Sequence, residues 1–187
     1  MKILSVILLA LALNHDCQSQ VTFPEKDGKI VYEEIDSSVQ ASRATLFSRA
    51  KSWMANSFNN ATAVIQQEDP VEGILLAKGA GKLSSPISAS PMEQIEFSLE
   101  IKAKDNKYRI RIYDISGHPT SLASMTKSLE DVYSKFKTDN YPFKSKKEEK
   151  YQKEQKDRDN QALIDVNGFI TYLLINLKKA MKTNDDF

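Results

Sequence analysis

Residues 96–115, EFSLEIKAKDNKYRIRIYDI, alternate apolar and polar positions on both sides of Asp105-Asn106. A period of two marks strands with one buried face. With a turn at Asp105-Asn106, Phe97, Leu99, Ile101 and Ala103 share that face with Tyr108, Ile110 and Ile112. The same register sets Leu99 opposite Ile112 and Ile101 opposite Ile110. On the other face it sets Glu100 opposite Arg111 and Lys102 opposite Arg109. The pattern predicts a hairpin that needs helices or further strands over its apolar face, because a lone hairpin is not stable in water.

Other segments read as follows. Gly28 to Asp36, GKIVYEEID, predicts a first strand. Ser38 or Ser42 can cap a helix running to about Phe58, with Leu46, Phe47, Ala50, Trp53, Met54 and Phe58 on one stripe and Asn59-Asn60 ending it. A second strand, Ala61 to Gln67, meets the turn signal Glu68-Asp69-Pro70, and a third spans Gly73 to Leu83. Gly79-Ala80-Gly81 inside that third strand predicts a bulge, a bend or close approach by another element. SSPISASP, residues 84–91, is a connection.

After Gly117-His118-Pro119 the period changes to three and four. Leu122, Met125, Leu129, Val132 and Phe136 predict a helix that stops before Tyr141-Pro142. Leu163, Val166, Ile170, Leu173, Leu177 and Ala180 predict the last helix. Gly168 within it costs about 1 kcal/mol against alanine and points to close approach of another backbone. Between these helices, residues 144–161 mix both charges and have only Tyr151 for a core, so they read as a solvated helix or a disordered link. Glu149 to Lys153 and Glu154 to Arg158 stand in the order that favours helical ion pairs.

The order strand, helix, four strands, then helices predicts an α+β protein. An antiparallel sheet of about five strands packs on the Trp53 helix, in a helix-grip arrangement with a C-terminal helical extension. Three stretches carry a likeness: ATLFSRAKSWMANSF, ATAVIQQEDPVEGILLAKGAGKL and EFSLEIKAKDNKYRIRIYDI. Through them the region from Phe23 to Ser116 resembles the bacterial domain of unknown function numbered 4468, described as having a fold like the TATA-box-binding protein. The resemblance implies an exported, Bacteroidetes-type protein whose sheet grips a helix. It brings no activity and no catalytic residues, and the fold label implies no DNA binding, since function lives in sites rather than folds.

The beginning of the chain bears on location. Lys2 precedes an apolar run from Ile3 to Leu13, followed by a polar stretch. That run is too short for a hydrocarbon core, which needs about 20 residues, so residues 1–19 read as a signal peptide cleaved after Ser19. The expected organisation is then residues 20–117 as the α+β domain and 118–187 as C-terminal helices. Cys17 lacks the small residue and the leucine that lipid attachment wants ahead of it, since Asp16 and Asn14 stand there. With Cys17 removed, the mature chain has no thiol for a disulfide or a cysteine metal site. Export to the periplasm or the exterior is expected, with no later segment apolar enough to span a membrane.

Lys and Arg number 26 against 25 Asp and Glu, which argues against a nucleic-acid partner bound through a general field. His118, with Asp114 nearby, reads as a surface turn residue rather than part of a catalytic triad, and as the one histidine left once residues 1–19 are removed it falls short of a zinc site without thiols. AKGAGKLSS is no phosphate loop, because Leu76 and Leu83 occupy the required glycine and Ser/Thr places. Arg109, Arg111 and Tyr113 read as a solvated sheet face offset by Glu96 and Glu100, without the aromatic signature of RNA-binding sheets. Asn60-Ala61-Thr62 matches a glycosylation sequon.

No cofactor or metal is expected. The leading reading is a non-catalytic binding module that engages a protein or buries a small apolar ligand between sheet and helix. The candidate interaction surface is Ile170, Leu173 and Leu177 with Val132 and Phe136, which either cover the sheet or receive a partner helix or a second copy in a homodimer. The rival reading is a carboxylate-dependent hydrolase of envelope glycans, drawing on Glu33, Glu34, Glu68, Asp69 or Glu72.

Overall fold

The hairpin read from the alternation lies at the centre of the sheet. A computed structural model describes residues 21–58, 64–83, 94–118, 127–138 and 145–183. Strands β6 (Gln94–Lys104) and β7 (Lys107–His118) pair antiparallel in the predicted register, with Leu99 opposite Ile112, Ile101 opposite Ile110, Glu100 opposite Arg111 and Lys102 opposite Arg109. Asn106 takes a φ of 61°, a left-handed conformation that asparagine tolerates in a two-residue turn. One irregularity was not legible. The register shifts between Glu96 and Ser98, and facing it Asp114 takes a φ of 50°. This bulge rephases β7, so that Ile115 as well as Ile112 is buried.

Strand β5 (Ile74–Lys82) pairs with β6 without interruption, and β4 (Ile65–Asp69) lies outside it. On the other side of β7 lie β3 (Tyr32–Asp36) and, further along, β8 (Lys127–Ser128). Among the described residues the sheet therefore has six strands, with β3-β7-β6-β5-β4 as its path. A separate ribbon of β1 (Glu25–Lys26) and β2 (Lys29–Ile30) turns at Asp27-Gly28, both at positive φ.

Three boundaries differ from expectation. The first strand divides at Val31 between β2 and β3. The second continues to Asp69, past the predicted turn, because Asp69 pairs with Ile74; the chain turns at 70–73 instead, with Gly73 at a φ of 70°. A Cβ there would strike the Ala103 carbonyl oxygen, so glycine suits the position on two counts. Lys127-Ser128 is strand rather than helix, since its backbone pairs with Ser116 and Gly117 while the Ser128 hydroxyl accepts from the Asp131 N–H.

Helix α1 (Arg43–Ser57) starts where Ser42 Oγ accepts from the Thr45 N–H at 3.1 Å. The hairpin turn helps to fix that start: Asp105 Oδ1 accepts from the Arg43 N–H at 2.8 Å, and the Asn106 N–H donates to the Ala41 carbonyl at 2.9 Å. Leu46, Phe47, Ala50, Trp53 and Met54 of the predicted stripe are buried, while its last member, Phe58, is the cap beyond the helix and packs partly buried against the core. Helix α2 (Leu129–Thr138) is short, whereas α3 (Lys146–Lys182) runs for 37 residues from a Ser145 cap. The charged segment is thus the front of α3 from Lys146 onwards, and its alternative as a disordered link is not what the structure shows.

The helices share one core with one face of the sheet. Phe97, Leu99, Ile101, Ile110 and Ile112 meet Leu46 and Met54 of α1 and Val166, Ile170 and Leu177 of α3. Each such side chain contributes about 1.5–3 kcal/mol by leaving water. Gly168 was expected to admit another backbone. It faces open space instead, on the exposed side of α3. Residues 1–20 with Cys17, the Asn59-Asn60 helix end, the sequon, the 84–91 connection, Leu122, Met125, Tyr141-Pro142 and the His118 side chain lie outside the described residues.

Candidate functional site

Gly79 and Gly81 on β5 shape one concavity of the surface. Gly79 lies directly opposite Phe97, and a Cβ on Gly79 would run into the Phe97 ring. A Cβ on Gly81 would run into the ring of Phe169 from α3. Absent side chains thus let two aromatic rings lie against the strand, and the predicted close approach at Gly79-Ala80-Gly81 is made by these rings. Trp53 meets Phe58 edge-on at 5.8 Å between centroids; Phe58 lies 6.4 Å from Phe97, and Phe97 6.2 Å from Phe169. Such pairs contribute about 0.5–1.5 kcal/mol each beyond burial.

Above this aromatic floor opens a cleft of about 630 Å³ between the end of α1, β5 and the second half of α3. Ligand pockets generally fall at about 300–1,000 Å³. Trp53, Phe58, Phe169 and Leu173 supply apolar walls, while Asn56, Ser57, Asn176 and Thr183 place hydrogen-bonding groups at the rim. Among the described residues Lys179 is the one charged residue of its lining, and no carboxylate of theirs lines it. The arrangement can bury an apolar body and meet a polar or anionic group at its edge.

The candidate interaction residues have another use. Ile170, Leu173, Leu177 and Phe136 are buried in the chain's own core, and Val132 packs partly buried against it. Of the two alternatives read from their spacing, covering the sheet is the one the fold adopts, because the hairpin's apolar face requires it. Leu173 alone also reaches the cleft wall.

The candidate acids are dispersed among partners. Glu33 lies 3.3 Å from Arg111 and 3.7 Å from Lys26, Glu34 pairs with Lys178 at 3.1 Å, and Glu68 pairs with Lys51 at 2.7 Å. Asp69 accepts from the Glu72 N–H in the turn. On the hairpin's charged face, Arg109 and Arg111 both reach Glu100, and Arg111 lies 5.3 Å over the Tyr113 ring. Asp114 accepts from Lys29 at 3.4 Å. AKGAGK is strand, not a phosphate loop.

Three shifted ionisations, those of Asp36, Tyr32 and Tyr108, cluster where β3 meets α3 and β7, while Lys137 of α2 is raised by its hydrogen bond to Glu25 of β1; none of the four lines the cleft. A hydrogen bond from Lys182, then bonds from the Ser38 hydroxyl and N–H, hold the Asp36 carboxyl well below the usual range. Burial pushes the Tyr32 and Tyr108 hydroxyls upward, and the neighbouring Asp36 adds to the effect at Tyr108. Tyr32 also donates to Asn167 Oδ1 at 2.7 Å.

Phe58 and Phe169 are the cleft residues that periodicity underrates. Phe58 ends its stripe and Phe169 stands beside rather than on the α3 stripe. The available signal was the pair of strand glycines, which asks for large neighbours.

An antiparallel sheet with helices on one face places the chain among α+β proteins of TBP-like fold. The family model "Domain of unknown function (DUF4468) with TBP-like fold" matches residues 24–117, and the chain belongs to that family. A TBP-like protein from Parabacteroides distasonis is similar in structure at a TM-score of 0.62 and 18% identity, covering 87% of this chain and 98% of its own. A DUF4468 family protein from Bacteroides ovatus gives a TM-score of 0.58 at 18% identity, covering 88% and 93% respectively. Both likenesses extend beyond the matched segment into the C-terminal helices. No curated protein matches the chain.

Proposed function

We propose that this chain is an exported, non-catalytic binding module that holds a small, largely apolar ligand in the cleft between α1, β5 and α3. The aromatic floor made possible by Gly79 and Gly81 carries this reading. The ligand's apolar body stacks on Phe58 and Phe169, and a polar or anionic group meets Asn56, Asn176 or Lys179 at the rim. Export rests on Lys2 and the Ile3–Leu13 run, with residues 1–19 removed as a signal peptide and the module working in the periplasm or outside the cell. Cys17 leaves with the signal and anchors no lipid. Among the described residues no helix is long and apolar enough to cross a membrane.

Trp53, the sole tryptophan, lines the cleft and serves as a built-in probe. Titration with 1-anilinonaphthalene-8-sulfonate, an apolar ring system with an anionic group, is expected to quench Trp53 emission through energy transfer. Asn176→Phe, which narrows the mouth from a half-buried helix position lining the cleft, is expected to abolish that quenching with unchanged far-UV circular dichroism. Equal quenching in both proteins would overturn the assignment of the cleft. Native mass spectrometry on protein isolated gently from its own cells then asks whether a molecule of a few hundred daltons, about the size such a cleft holds, travels with the chain.

A further inference from the structure

Helix α3 presents a second stripe, facing away from the core. Glu154, Asp157, Gln161, Ile164, Gly168, Tyr172, Ile175, Lys179 and Lys182 succeed one another at steps of three and four. All but the half-buried Gln161 are exposed. The mean step is 3.5 residues, the period at which two helices stay in register through a left-handed supercoil. At its centre Ile164, Tyr172 and Ile175 are 39%, 65% and 60% exposed, unusually bare for apolar side chains in one row. Gly168 sits among them with nothing near its missing side chain.

The stripe is symmetric about Gly168. The steps run three, four, three, four on one side and repeat in mirror order on the other. Reversed upon itself, the helix sets Ile164 against Tyr172 and Asp157 against Lys179, with Glu154 meeting Lys182 beyond. The charges are opposite at both of these outer positions. Neither Asp157 nor Lys179 has an ion-pair partner among the described residues, whereas Lys182 already holds Asp36. The front of α3 also has room for a neighbour, since no residue between Lys146 and Gln161 is fully buried.

We propose that α3 is the interface for a second copy of this chain, packed antiparallel about a two-fold axis at Gly168. The glycines let the two backbones approach at the crossing, as small residues do at close helix contacts. Ile164, Tyr172 and Ile175 form the apolar centre, and each Asp157 meets the partner's Lys179. Isologous contact requires one patch to complement itself, which this charge pattern does and a random surface helix does not. Parallel pairing sets like charge against like and is disfavoured. The inference is independent of what the cleft binds, although Tyr172 and Lys179 stand at its rim and bring the second copy beside it.

Sedimentation equilibrium of protein purified from its host, at concentrations up to about 1 mM, is expected to give a reversible dimer that weakens as salt rises. Asp157→Lys and Lys179→Asp should each weaken it about tenfold, and the two together should restore it, because the swap rebuilds both symmetric pairs. Ile175→Glu, at an exposed position, should leave the fold intact and the protein monomeric. A monomer at every concentration, or a dimer indifferent to Ile175→Glu and to the charge swap, would overturn the proposal.

Discussion

The two faces of the β6–β7 hairpin are equally regular in sequence and hold together by different physics. The covered face puts Leu99, Ile101, Ile110 and Ile112 at or below 1% exposure against the helices, where removal from water and close packing set the energy. The open face carries Glu33, Arg111, Glu100 and Arg109 as a chain of ion pairs across three strands, within reach of solvent and salt. Alternation announces both faces at once. It does not announce that one dictates the fold while the other only suits it.

Substitutions sharpen that contrast in descending order. Ile101→Ala, which empties a fully buried site under α1, is expected to destabilise by about 2–5 kcal/mol in urea unfolding, with no dependence on salt. Gly81→Val drives a side chain into Phe169 and should cost about 1–3 kcal/mol while also weakening the dye response of the cleft. Ser42→Ala removes the α1 cap and should cost about 1 kcal/mol. On the open face, Glu100→Gln should cost about 1 kcal/mol at low salt and less at high salt, since its partners remain partly solvated. An equal, salt-independent loss at Ile101 and Glu100 would erase the distinction between the faces.

A titration separates the seam from both faces. The folded Asp36 carboxyl ionises below its unfolded counterpart, so its contribution is complete above the ordinary carboxylate range and is lost as pH falls through the lowered value. Tyr32 and Tyr108 are shifted the opposite way. Their contribution is complete below about pH 10 and declines above it, because the unfolded hydroxyls release their protons first. Urea midpoints followed against pH should therefore fall at both extremes, with Asp36→Asn flattening the acid side and, through the charge lost beside Tyr108, easing part of the alkaline fall.

The hairpin, its register and the α1 stripe were legible because each follows a period that the side chains themselves display. The six-stranded path was less so: β8 is two residues long, and its pairing with Ser116 and Gly117 leaves no periodic trace. The bulge at Asp114 was hidden for a related reason, since a single residue in a left-handed conformation shifts phase without changing composition. Helical spacing in Ile170, Leu173 and Leu177 correctly marked a face that had to be covered, but it cannot say by what; the sheet in the same chain covers it. The cleft was legible only as a gap in side-chain volume at Gly79 and Gly81. Which rings fill that gap depends on tertiary approach, and Phe169 reaches Gly81 from 88 positions further along the chain.

The seam between β3 and α3 also fixes when the molecule can be complete. Tyr32 reaches Asn167 across 135 positions and Glu34 reaches Lys178 across 144, while Asp36 pairs with Lys182 at 2.8 Å. The first strand of the sheet is thus secured by the final turns of the last helix. A chain made from its N-terminus can pair β3 with β7 early, but it cannot close this seam until residues 167–182 have been made, and contacts of such long reach form slowly. The outer edge of β3 thus waits on the arrival of α3.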